Sequence, residues 1–128
     1  MNKARLLFSA GLIGIAFIGN TAAEEMQKVG AAELKQLISG CTVHNMCKVT
    51  GDISKTYFDP SGKLIRESQG NTIEGTYYIK DDGTQCNVLN GKHLCADIMK
   101  VDDGTHYRMA KNGKRLGIWT KITPGKDF

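Results

Sequence analysis

The chain has 128 residues, with 17 Lys and Arg against 13 Asp and Glu and a pI near 8.9. That length builds one domain with an adequate but modest core. A net charge of +4 without a dense Lys/Arg block argues against a nucleic-acid-binding or membrane-coating surface.

The chain opens on a basic start, Asn2-Lys3-Ala4-Arg5, then an apolar run over residues 6–18, then small residues at Thr21-Ala22-Ala23. This is the three-part pattern of a secretory signal peptide, and the run falls short of the roughly 20 residues a membrane-spanning helix needs. Cleavage is expected after Ala23, making residues 1–23 a signal peptide and 24–128 a single exported β-domain. No cysteine lies near that site to carry a lipid, so the expected product is periplasmic or secreted, with no stable membrane anchor. Loss of Lys3 and Arg5 with the leader brings the net charge to +2.

A short helix is expected at about residues 31–39, where Leu34, Leu37 and Ile38 share helical spacing and Gly40 stops the run. Two to three turns cannot stand alone, so the apolar stripe must lie on the sheet built by the strands after it. Strands are expected from about 41 to 122. Tyr57-Phe58 ends one, and Asp59-Pro60-Ser61-Gly62 turns into the next at 63–68. After a break at 69–71 comes a β-favouring run at 72–80, then the turn Asp81-Asp82-Gly83.

Asn90-Gly91 comes next, the strongest short-range hairpin signal, because both residues tolerate positive φ. A two-residue turn there sets Val88 against His93, Asn87 against Leu94 and Cys86 against Cys95, which predicts a Cys86–Cys95 disulfide. The inward face is left open. Leu94, Ala96 and Ile98 argue for one side, and Val88, the cystine and Met99 for the other.

Asp102-Asp103-Gly104 repeats the earlier turn before a strand at 105–110, and Asn112-Gly113 leads into 115–122, which holds the single tryptophan, Trp119. The turn signals after residue 58 lie 8 to 13 residues apart, too close for crossover helices, so every pairing should be antiparallel. The expected fold is all-β. Seven or eight strands form an antiparallel up-and-down meander closed into a small barrel, with the N-terminal helix plugging one end.

Four cysteines in an exported chain imply two disulfides. The hairpin register takes one pair, which leaves Cys41 and Cys47 to pair by elimination and forces residues 42–46 into a loop. A free thiol or a soft-metal site is the alternative there. Cys41, His44, Met46 and Cys47 are ligand types suited to Cu(I), but in an extended strand the cysteines share one face while His44 and Met46 share the other. His44, His93 and His106 have no metal-ligand spacing, and the paired aspartates lack an EF-hand's later ligands. No cofactor is expected.

Ser39-Gly40 into Thr42-Val43, Tyr57-Phe58 before a glycine turn, Gly75-Thr76-Tyr77, Asp82-Gly83 and the Cys86/Cys95 pair together resemble a group of small exported bacterial proteins of uncharacterised function. The resemblance implies a lipocalin-like β-barrel and export. It carries over no catalytic residue, because its motifs are turn and strand residues. Tyr77 stands where a tryptophan commonly follows Gly-Thr in that group, and Cys41 and Cys47 are additions.

The chain contains no GxSxG, P-loop or dinucleotide motif, and the reading is non-enzymatic. The expected function is an exported binding module for a small apolar ligand or a partner protein, with Tyr57, Tyr77, Tyr78, Tyr107 and Trp119 as ligand-lining residues. Two alternatives are an envelope protein inhibitor or immunity-type partner, and a copper carrier using His44 and Met46.

Overall fold

The computed structural model describes residues 25–128, so the expected signal peptide lies outside the described residues. Nine strands and one helix make up those residues. They are β1 (Gln27–Lys28), α1 (Ala31–Ile38), β2 (Cys41–Cys47), β3 (Ile53–Phe58), β4 (Lys63–Ser68), β5 (Asn71–Ile79), β6 (Gln85–Leu89), β7 (Lys92–Lys100), β8 (His106–Met109) and β9 (Arg115–Pro124). Each strand from β2 to β9 pairs antiparallel with the next. β9 then returns to β2, with Gly117 opposite Cys47 and Pro124 opposite Cys41. The eight strands close into a barrel and leave no open edge. β1, which the sequence did not signal, is a two-residue addition on β7.

The organising hairpin has the expected register. Asn90 and Gly91 take φ of 51° and 76°, Cys86 faces Cys95 with a disulfide between them, and Val88 faces His93. One turn chemistry recurs around the barrel. The carboxylate or amide oxygen of Asp59, Asp82, Asp103 and Asn112 accepts the backbone N–H two residues on, at 2.8–3.0 Å, and a glycine in each turn donates back to the chain before it. These side chains close turns, as the sequence suggested.

Alternation sorts residues to the two sides of the wall. Val43, Phe58, Leu64, Leu89, Ile98 and Trp119 are buried together inside, joined by Val29 and by Leu34 and Ile38 of α1. The helix carries its apolar stripe into one end of the barrel and plugs it. Full burial of Leu34 and Ile38 contributes about 1.5–3 kcal/mol each. α1 ends where Ser39 N–H donates to Lys35 O, and Gly40, at φ 74°, donates to Phe58 O as the chain turns into β2. The hairpin question is decided for Leu94, Ala96 and Ile98. Ala96 and Ile98 are buried, and Leu94 lies near the far, open end.

The expected Cys41–Cys47 disulfide is corrected by the structure. Both thiols are free, and they stand at opposite ends of β2. β2 is paired along both edges, to β3 and to β9, and stays extended. Six residues of extended chain span about 20 Å, far beyond disulfide reach. Closing the loop would have broken two ladders, and with them the barrel's closure.

Candidate functional site

Beyond the apolar plug, the barrel interior opens into a cavity of about 280 Å³. Its floor is apolar, made by Val43, Phe58 and Trp119 of the core. Its mouth lies among the turns after β2, β4, β6 and β8. There Val49 and Leu94 are 64% and 43% exposed.

Between floor and mouth the lining is polar. β3 alternates Ser54, Thr56 and Phe58 inward, and β4 answers with Leu64 opposite Phe58 and Arg66 opposite Thr56. A wall that is apolar at the Phe58–Leu64 pair is therefore polar one inward step further on. β6 places Asn87 on the same lining, and β8 contributes Arg108.

Arg108 is held in place. Its Nη1 donates to Gln85 Oε1 at 2.6 Å and its Nη2 to Leu94 O at 3.4 Å, while Gln85 Nε2 donates to Asn87 Oδ1 at 2.6 Å. Burial, and then the neighbouring charge of Arg66, pull its pKa down to about 10. It therefore remains a cation at neutral pH. Arg66 has no hydrogen bond or ion pair with the protein among the described residues, and no Asp or Glu lines the cavity. Two guanidinium groups thus share one open-ended cavity with no carboxylate between them.

Asn45 completes the wall. Its side chain lies against Gly117, where a Cβ would come 2.7 Å from Asn45 Oδ1. That oxygen is buried with no protein donor, which leaves one acceptor aimed at nothing in the fold. Cys47 also lines the cavity, near its mouth. Hydrogen bonds from the Thr50 side chain and backbone hold its thiol below the usual range.

Of the five aromatics expected to line a ligand site, only Trp119 does so. Tyr77 fills the plugged end, edge-on to Phe58 with its hydroxyl donating to Asp59 O at 2.7 Å, and burial raises its pKa. Tyr57 points outward, because its neighbour Phe58 takes the inner face, and hydrogen-bonds Asp59. Tyr78 lies on the outer wall against His93, and Tyr107 lies under the guanidinium of Arg115 at 4.4 Å.

The soft-metal arrangement is not assembled. His44 is engaged by Asp127 at 2.8 Å, and the two cysteines are at opposite ends of the strand. Among the described residues no three His, Cys, Asp or Glu side chains cluster as a metal site. Also among them, no helix is long and apolar enough to cross a membrane.

Sequence reasoning missed both arginines. A signal was present for Arg66: with Phe58 and Leu64 inward across one turn, counting two residues outward along each strand puts Thr56 and Arg66 inward as well. No protein-family profile, curated protein or solved structure matches this chain.

Proposed function

We propose that this protein is an exported, non-enzymatic binding module whose ligand sits inside the barrel. The observation that supports it most is the cavity of about 280 Å³ between the helix plug and the open end. A barrel interior of this kind is a common place for a small-molecule site. The leader-like N-terminus and the Cys86–Cys95 disulfide favour an oxidising compartment, and the lipocalin-like resemblance fits the same reading. The mixed lining favours a ligand with a polar part over a purely apolar one.

Trp119 lies on the cavity floor and is the sole tryptophan, so its emission reports on occupancy. Titration of the mature protein with a panel of small organic acids, alcohols and amines should give saturable changes in that emission, with a matching rise in Tm. A panel that moves neither would count against a ligand site and favour the partner-protein reading. The specific support for a partner is the exposed apolar pair Val49 and Ile53 beside the mouth. Pull-down from an envelope extract, with and without Val49→Ser and Ile53→Ser, tests that alternative.

A further inference from the structure

Resting on that reading, we infer that the cavity takes a small organic anion, its carboxylate or phosphate oxygens held by Arg66 and Arg108 and its apolar tail directed toward Trp119. The inference comes from an unbalanced inventory of charge and hydrogen-bond donors inside the barrel.

A guanidinium offers five N–H donors. Arg108 spends two on Gln85 and Leu94, and Arg66 spends none on the protein among the described residues. Enclosed cations are ordinarily paired with carboxylates, because their desolvation is otherwise uncompensated. Nearer the surface, Lys111 reaches Asp97 at 2.9 Å and Lys100 reaches Glu33 at 2.9 Å, while the two half-buried arginines reach no carboxylate. The two arginines have only each other, and their mutual repulsion is relieved by an anion that accepts from both. Planar guanidinium groups match the oxygens of a carboxylate or phosphate in paired hydrogen bonds.

The Gln85–Asn87 contact fixes Arg108 before any ligand arrives, which lowers the ordering cost of binding. Arg66 has no such tether. Arg108 is therefore the fixed half of the site and Arg66 the adjustable half.

Size narrows the class further. A volume of about 280 Å³ lies at the small end of the range for small-molecule sites, which suits a small organic ligand. The apolar floor of Val43, Phe58 and Trp119 fits a short hydrocarbon or single-ring tail. Free inorganic phosphate would leave that floor without a contact.

The test compares octanoate, octyl phosphate, 1-octanol and inorganic phosphate on the mature protein, read by calorimetry and Trp119 emission. Octanoate or octyl phosphate should bind at least tenfold more tightly than 1-octanol, and inorganic phosphate more weakly than either. Arg66→Met should weaken the octyl anion at least tenfold and leave 1-octanol unchanged. It should also raise the Tm of the ligand-free protein, because it removes one of two repelling charges. Arg108→Met should weaken the anion similarly, and its circular dichroism separates lost binding from lost folding. Equal binding of 1-octanol and octanoate, unaffected by Arg66→Met, would overturn the anion assignment and leave the binding-module reading standing. Absence of binding by all four probes would also overturn the anion assignment, and the broader Trp119 panel then decides the binding-module reading.

Discussion

Replacing Gly75 by Ala tests how the barrel turns its corner. Gly75 sits in β5 opposite Leu64, one residue before Thr76 begins the pairing of β5 with β6. A Cβ there would lie 2.2 Å from Val88 O and 2.8 Å from Leu89 Cδ2. Ordinary carbon–oxygen contacts are about 3.3 Å or longer, so β5 and β6 would have to separate by about 1 Å. The blocking atom is backbone in a hairpin cross-linked by Cys86–Cys95, so side-chain rotation cannot relieve the clash.

Overpacking of this kind costs about 1–3 kcal/mol, and the upper end applies where backbone must move. For a domain of this size that lowers Tm by roughly 10–20 °C. Gly91→Ala is the control. Its site is open, with nothing within 4 Å, and the only cost is the left-handed φ of 76°, about 1–2 kcal/mol. Urea unfolding followed by Trp119 emission, with the disulfide intact, measures both variants. If Gly75→Ala shifts the midpoint no more than Gly91→Ala does, the close approach of β5 to β6 is not what the structure indicates.

Three further outcomes rest on particular residues. The Cys86→Ala/Cys95→Ala double variant should keep the barrel but lose about 2.5 kcal/mol in urea unfolding, the chain-entropy value for a nine-residue separation; a loss below about 1 kcal/mol would show that Asn90-Gly91 alone holds the register. Alkylation of the unreduced protein should add label to two thiols, Cys41 and Cys47, with Cys47 faster near neutral pH because Thr50 stabilises its thiolate; complete protection of both would restore the disulfide between them. Asp82 is held at about 2 by hydrogen bonds from Thr84. Its folded value lies below its unfolded one, so its contribution to stability is complete above about pH 5 and is lost as pH falls toward 2. Asp82→Asn keeps a turn-closing amide, as Asn112 does, and should flatten the fall in unfolding midpoint between pH 4 and 2; an unchanged pH profile would contradict the assignment.

Local geometry was the legible part of the sequence. Asn90-Gly91 allows a backbone conformation few residue pairs tolerate, so it fixed one register, and the Asp-Gly and Asn-Gly turns carried the antiparallel order onward. The helix was legible from Leu34, Leu37 and Ile38 because an apolar stripe too short to be stable alone has to be buried. The contents of the barrel were not legible in the same way. In β4 the inward set Leu64, Arg66, Ser68 and the outward set Ile65, Glu67 are both mixed, so hydropathy could not choose a face. Tyr57, Tyr78 and Tyr107 stand outside the barrel for a related reason: aromatic type favours a strand without saying which side of it, while Tyr77 is inside but at the plugged end. Cys41 and Cys47 were misread because an even cysteine count suggested a pair, while the double-edged pairing of β2 that keeps them apart is a property of the closed barrel.

The most direct test is the arginine Nε–Hε region of a ¹⁵N spectrum of the mature protein during titration with octanoate. The signals of Arg66 and Arg108 should move together and saturate at the concentration that saturates Trp119 emission, while Arg115 on the outer wall stays in place. Movement of Arg115 alone, or of no arginine while Trp119 responds, would contradict a charged interior as the seat of binding.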